Sequence, residues 1–260
     1  MIAKRFIPEV TFNLSPIELE AKLLYDFSQP RLNRWKEVMN RVYPDLENIV
    51  KNTKDKTEAV TKCREFAERI IEGNKSEILK AKDAIETDWN LVSREFLTRL
   101  SKLFEIEWPE EKRIINAYIT IMPVFPRFLD DFSFCVGYRN PPKARETIAH
   151  EIVHFLWFKK WKEVFPDSKR EEFEGPHLIW RLSEIMDPII LQCDPKIKEL
   201  IKPSRWGYPT FKDVVIEGVS MTEYFVKIYM DCVKKGKSFE EVLKILWAEA
   251  LKNREAIEKF

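Results

Sequence analysis

The strongest constraint on the fold is a change in hydrophobic period along the chain. From Ser15 to about Phe104, apolar residues recur three and four positions apart, as is typical of amphipathic helices. Residues 113–125 and 131–139 are instead rich in β-branched and aromatic side chains, and a proline-containing turn separates them. The remaining residues return to a helical pattern. We therefore expect an α+β fold that is predominantly α, with a small β-sheet near the middle of the chain.

Local signals predict where two helices begin. Ser15, Pro16 and Glu18 offer an N-cap, a first-turn proline and a capping-box glutamate. Asn140 and Pro141 predict the start of a second helix that runs to about residue 160. There is no internal repeat and no Gly/Ser linker, so we expect one compact unit with a helical N-terminal region (residues 1–105) and a second region (residues 106–260).

The composition narrows the class of protein. The chain has 44 Lys and Arg against 43 Asp and Glu, so its net charge creates no overall electrostatic field that would attract nucleic acid or an anionic membrane. The start MIAKRFIPEV has charges and a proline where a secretory signal would be apolar, and four cysteines without CxxC spacing are typical of reduced thiols. We therefore expect a cytoplasmic protein. The two glutamines among abundant Lys and Glu suggest a thermophilic source.

The stretch TIAHEIVHFLW (residues 147–157) contains two of only three histidines. His150 and His154 are four apart, so on a helix their imidazoles lie on one face and suit a single ion. Zn²⁺ accepts nitrogen ligands, and a hydrolytic site keeps a position open for water, for which Glu151 would be the general base. The alternative is a half-buried structural helix with Glu151 exposed, but three histidines make a chance HExxH infrequent.

These residues resemble the HExxH metallopeptidases, or zincins, and the uncharged flanking positions fit that extended pattern: Thr147, Ile148, Ala149, Ile152, Val153, Phe155 and Leu156. The resemblance covers residues 114–187. It implies a zinc-dependent peptidase core in which a small β-sheet packs on the HExxH helix, flanked here by N- and C-terminal helices. Residues 106–260 would then be the catalytic region.

A third zinc ligand has two candidates downstream. Glu184, in the sequence LSEIMD, looks like the second motif of the glutamate-ligand zincins, or gluzincins, which favours it over His177. On one helix these two residues would be about 10.5 Å apart, which argues against both as ligands of one ion. A metzincin arrangement is excluded, because Lys160 stands where its third histidine is needed and Trp157 replaces its glycine.

Four further residues have two interpretations each. His177 and Tyr208 could donate hydrogen bonds to the oxyanion of the reaction, or be a local helix-start residue and a packed loop aromatic. Asp187 could orient a ligand histidine or cap a helix, although gluzincins often carry this Asp four residues after the ligand and not three. Arg181 could bind a substrate carboxylate or form an ion pair. Pro188 should end or kink the helix that carries Glu184.

The sequence thus predicts a zinc metallopeptidase that acts on a peptide substrate, with His150, His154 and Glu184 as ligands of Zn²⁺. Two other classes stay open: a zincin-like metal-binding scaffold without peptidase activity, and a helical interaction protein with an accidental motif. Glu151 argues against the scaffold, because a structural zinc needs no base. The substrate, the position of cleavage and the oligomeric state do not follow from these residues.

Overall fold

The computed structural model describes residues 6–29 and 33–259, except for the side chains of residues 33 and 34. The first five residues of MIAKRFIPEV therefore lie outside the described residues. Twelve α-helices occur in the described part of the chain: α1 Ile17–Phe27, α2 Asn33–Val42, α3 Leu46–Lys51, α4 Lys56–Gly73, α5 Lys75–Asn90, α6 Ser93–Phe104, α7 Pro141–Val164, α8 Leu178–Cys193, α9 Pro195–Ile201, α10 Met221–Lys234, α11 Phe239–Lys252 and α12 Arg254–Ile257.

Six strands accompany these helices: β1 Glu9–Leu14, β2 Ile114–Thr120, β3 Arg127–Phe128, β4 Ser133–Gly137, β5 Val215–Ile216 and β6 Val219–Ser220. The expectation of a mostly helical α+β fold is confirmed. Among the described residues, no helix is both long enough and apolar enough to cross a lipid bilayer.

The chain divides into two compact units. The first, which we call the sheet unit, comprises residues 9–91 and 114–148. The second, the helical unit, comprises residues 92–113 and 149–259 together with residues 6–8. The four-stranded sheet belongs to the sheet unit, whereas the HExxH residues of α7 belong to the helical unit. A zincin-like packing of the sheet on that helix, and the division of the chain at residue 105, stay predictions.

The sheet has the strand order β1-β2-β4-β3, in which β1, β2 and β4 are parallel and the short β3 is antiparallel to β4. In β2, Ile115, Ala117 and Ile119 are buried at alternate positions, as the pleat of a strand requires. The two strands expected from the β-branched segments correspond to β2 and β4. β1 was not predicted, because EVTFNL is short and polar at three of its positions.

The start of α1 differs from the prediction. The helix begins at Ile17, its N-cap is Pro16, and no side chain caps it, so Ser15 and Glu18 do not form the expected capping box. The reason is visible at Ser15, whose backbone N–H donates to the Ile119 carbonyl and thereby ties this residue to β2. The second predicted start is correct, because α7 begins at Pro141.

Aromatic packing forms the core of the helical unit. Trp157 and Trp161 are fully buried on α7, and Trp157 makes edge contacts with Phe104 and Phe239. Trp161 packs edge-on against Trp247 of α11. These indoles are core residues, and their contacts pack α7 against neighbouring helices close to its two histidines.

Candidate metal centre

Two helices of the helical unit supply four side chains that converge. His150 and His154 lie one turn apart on α7, and Glu184 and Asp187 lie three residues apart on α8, so each pair shares a helix face. The Nε2 atoms of the two histidines are 3.3 Å apart. Glu184 Oε2 is 3.4 Å from His150 Nε2, and Glu184 Oε1 is 3.3 Å from His154 Nε2. We call these four residues the donor cluster.

Asp187 approaches the histidines more closely than the sequence suggested. Its Oδ2 lies 2.7 Å from His154 Nε2 and 3.9 Å from His150 Nδ1. His150, His154 and Asp187 together form a group whose ligand atoms all lie within 4.8 Å of one another. Asp187 can stand there because α8 continues through Pro188 to Cys193, which places it inside the helix. Of the expected end or kink at Pro188, the end is wrong, and with it the interpretation of Asp187 as a cap, whereas a kink stays a prediction.

The donor cluster is almost closed to solvent. The side chains of His154 and Asp187 are 0% exposed and that of Glu184 is 2% exposed, while His150 is 26% exposed. Among the described residues, His154 Nδ1 and both carboxylate oxygens of Asp187 have no hydrogen-bond partner. Thus the short approach of Asp187 to His154 lacks the angles of a hydrogen bond. Buried polar atoms without a hydrogen-bond partner are costly, and a cation among them would remove the cost.

Charge around His150 is strongly negative. Burial lowers the pKa of His150, but the hydrogen-bonding carboxylate of Glu184 and the charges of Glu151, Glu184 and Asp187 outweigh it and raise the pKa from 6.5 to about 9. Without a metal, His150 is therefore protonated near neutral pH and supplies the positive charge of the donor cluster. The same field favours a divalent ion.

Two neighbours of the cluster are buried as well. Glu151 is only 6% exposed, which contradicts the alternative in which this glutamate is an exposed residue of an ordinary helix. The ring of His154 stacks on that of Phe158, with the centroids 5.8 Å apart and the planes within 10° of parallel. This contact fixes the orientation of the imidazole and hence the direction of its nitrogen lone pair.

The structure does not bring His177, Tyr208 or Arg181 into the donor cluster. His177 is the exposed residue before α8, where its backbone N–H donates to Glu174. Tyr208 is half-buried and packs edge-on against Phe211.

Arg181 is held by the backbone. Its Nε donates to the Pro176 carbonyl at 2.9 Å, and its Nη1 is 3.5 Å from the Ile257 carbonyl. Burial lowers the pKa of this guanidinium, which the charge of Glu258 partly offsets. These two contacts connect the residues at the start of α8 with α12.

Sequence reasoning underestimated Asp187, which it interpreted as a residue that orients a ligand histidine or as a helix cap, and not as a ligand. The available signal was the three-residue spacing from Glu184, which puts both carboxylates on one face of α8. Comparisons of the chain with protein-family models, curated proteins and solved structures found no match. What is established is therefore a buried group of His150, His154 and Asp187 that could hold a metal ion.

Proposed function

We propose that this protein is a zinc-dependent hydrolase, and specifically a peptidase, whose metal is held by His150, His154 and a carboxylate of α8. One observation carries the proposal: two helices direct two imidazoles and two carboxylates toward one another, with contacts of 2.7–3.4 Å. Glu184 remains our proposed third ligand, and we propose that Asp187 either binds the ion itself or orients His154.

The chemistry of the donor set fits zinc. Imidazole nitrogen and carboxylate oxygen are both zinc ligands, and a buried excess of negative charge needs a cation. When bound, zinc would lower the pKa of a coordinated water molecule and polarise a substrate carbonyl. The partial exposure of His150 leaves this side of the donor cluster accessible to solvent, whereas the other three members are buried.

Glu151 is the proposed general base. It follows His150 directly on α7, is nearly buried, and raises the pKa of His150 through its charge. In the proposed reaction, a Glu151 carboxylate oxygen accepts a proton from the attacking water and passes it to the nitrogen of the cleaved amide. His177 and Tyr208 remain proposed oxyanion donors, and Arg181 a proposed substrate contact. We also retain a peptide as the proposed substrate.

The alternative function is a metal-binding scaffold without peptidase activity. It is favoured by the number of donors, because two histidines and two carboxylates would fill all four positions of a tetrahedral structural site. The buried Glu151 favours the hydrolase, since a closed structural site has no use for a base beside it.

A paired substitution separates these functions. Glu151→Gln removes the base but retains the size of the side chain, and Glu163→Gln makes the same change at a half-exposed position of α7. For the hydrolase, we expect wild-type zinc content in both variants and a loss of about 10²–10⁴-fold in cleavage of fluorogenic peptides for Glu151→Gln alone. Zinc-loaded wild-type protein with no activity against a diverse peptide library would favour the scaffold.

Chelation tests whether there is a metal function at all. Removal of zinc with a chelator should lower the melting temperature of either a hydrolase or a scaffold, because bound metal stabilises the native state by mass action. A helical interaction protein with an accidental motif would contain no zinc and would melt at the same temperature with and without the chelator.

A further inference from the structure

The sheet unit contains a cavity of about 400 Å³. Parallel strands β1 and β2 both end at it, at Leu14 and just beyond Ile119, and Ile17 in the first turn of α1 is also part of its wall. Ligands in α/β proteins commonly bind outside the carboxyl ends of parallel strands, and the volume is within the range of small-molecule sites.

Most of the wall is aliphatic. Ile78, Ile119 and Ile121 are buried and form its deep part, while Ile17 and Ile71 are closer to the surface. Branched aliphatic side chains of this kind offer dispersion contacts to a hydrocarbon and no hydrogen bonds. The body of a ligand in this cavity must therefore be apolar.

One buried carboxylate interrupts the apolar wall. Glu20 of α1 is 1% exposed, and its two oxygens accept hydrogen bonds from the Thr120 hydroxyl at 3.0 Å and the Ile121 backbone N–H at 3.2 Å. Burial raises the pKa of Glu20, although these hydrogen bonds, Ser15 and the charge of Arg139 act in the opposite direction. Each oxygen of Glu20 accepts one of these two hydrogen bonds, so each can accept a further hydrogen bond from a donor within the cavity.

A second polar group points to a ligand independently. Ser15 is 8% exposed and lines the cavity, yet its Oγ has no hydrogen-bond partner among the described residues. It lies close enough to Glu20 to favour the ionised carboxylate but forms no hydrogen bond of normal geometry with it. A buried hydroxyl without a partner is uncommon, and a ligand donor placed between Ser15 and Glu20 would satisfy both.

Two further carboxylates belong to the exposed part of the cavity wall. Glu68 and Glu72 are exposed on α4, one helical turn apart, and Glu72 forms a solvent-exposed ion pair with Lys75, which is not part of the wall. The residues that line the cavity include no Lys, Arg or His. We propose that this cavity binds an apolar primary amine, with its ammonium group at Glu20 and Ser15 and its hydrocarbon against the isoleucines. The site is independent of the donor cluster and of the proposed hydrolase activity.

Three probes with one chain length test this assignment: n-hexylamine, 1-hexanol and hexanoate. In protein with labelled isoleucine methyl groups, n-hexylamine should shift the NMR signals of Ile71, Ile78 and Ile119 in a saturable manner, and hexanoate should not. Glu20→Gln should weaken n-hexylamine binding at least tenfold and change 1-hexanol binding less than twofold. Glu65→Gln, an exposed change on α4 outside the cavity, should leave n-hexylamine binding unaltered.

A filling variant keeps the test decisive if Glu20→Gln does not fold. Ile78→Phe adds volume within the cavity and leaves the carboxylate in place, so it should abolish binding of both n-hexylamine and 1-hexanol. Equal binding of all three probes to the wild type, n-hexylamine binding unchanged in Glu20→Gln, or n-hexylamine retained by a folded Ile78→Phe protein would each overturn the proposal.

Discussion

A zinc ion bound at His150, as we propose, would compete with a proton for this imidazole, so we expect the zinc affinity of this protein to rise steeply with pH. The carboxylates around His150 overcome burial and raise its pKa from 6.5 to about 9 in the metal-free protein. An imidazole must be neutral to bind a metal. Below about pH 9, the metal therefore displaces a proton from His150, and each added pH unit makes displacement easier.

The size of this pH effect on zinc affinity follows from the raised pKa of His150, about 9, compared with the ordinary value of 6.5. At pH 7, a histidine with a pKa of about 9 is neutral in roughly one molecule in 100, because each pH unit changes the ratio tenfold. Zinc affinity should thus increase on the order of 50–100-fold between pH 7 and pH 9 from His150 alone, and then level off. A histidine with the ordinary pKa would give less than about a twofold gain over that range.

The same shift has a consequence for stability. Because the pKa of His150 in the folded protein is raised, its contribution to the metal-free protein is fully present below pH 6.5 and is lost as pH rises through about 9. This contribution is at most about 3 kcal/mol, and partial exposure of His150 makes it smaller. Zinc-loaded protein should not show this loss, since the metal replaces the proton.

Competition with a chromophoric chelator, corrected for protonation of the chelator, measures the affinity from pH 6 to pH 9.5. Calorimetry in buffers of different ionisation enthalpy counts the protons, and about one should leave His150 per zinc ion at pH 7. His177→Gln is the matched control and should retain this release, whereas His150→Gln should lose it. An affinity that changes less than about threefold between pH 7 and pH 9, with no proton released, would refute the reasoning.

Two further predictions concern other buried groups. Asp194 is 4% exposed, caps α9 and pairs with Arg99, so Arg99→Met should lower the free energy of unfolding by about 1–3 kcal/mol in urea titrations. An unchanged free energy of unfolding in Arg99→Met would show that solvent compensates the charge of the Asp194 carboxylate. Burial raises the pKa of the Cys63 thiol to about 12 and also raises that of Cys193, but Cys193 is partly exposed, so an aromatic disulfide reagent should label Cys193 first. Labelling of Cys63 in native protein at an equal rate would contradict its burial.

Much of the helical content was predictable because its cause is local. The three- and four-residue spacing of Ile78, Ala81, Ile85 and Trp89 places all four on the buried face of α5. Pro141 marks the beginning of α7 because a proline at the first helical position sacrifices no hydrogen bond.

Other features depend on tertiary contacts and could not be predicted in this way. β1 is a strand because β2 supplies hydrogen bonds from residues about 100 positions away, and these bonds also draw Ser15 away from its expected capping role. The burial of Glu20 at the end of β2 could not be predicted either, because glutamate is an ionisable residue that is usually exposed. Its environment is made by residues distant in sequence, and no local pattern indicates it.

The metal site was predictable where its geometry depends on local structure alone. The four-residue spacing of His150 and His154 is sufficient to predict a shared helix face, because that face depends only on the helical period. The position of Asp187 depended on whether α8 continued through Pro188. Local rules favour an end or a kink at proline, but packing of Ile189 and Ile190 in the core maintains the helix.

The central claim is that one metal ion binds among His150, His154 and the carboxylates of α8. Anomalous diffraction at the zinc absorption edge, from crystals grown with stoichiometric zinc, tests it most directly. We predict one anomalous peak per chain, about 2.0–2.2 Å from a nitrogen of each histidine and from an oxygen of Glu184 or Asp187. The absence of a peak in the donor cluster, or a peak only elsewhere in the molecule, would contradict the account.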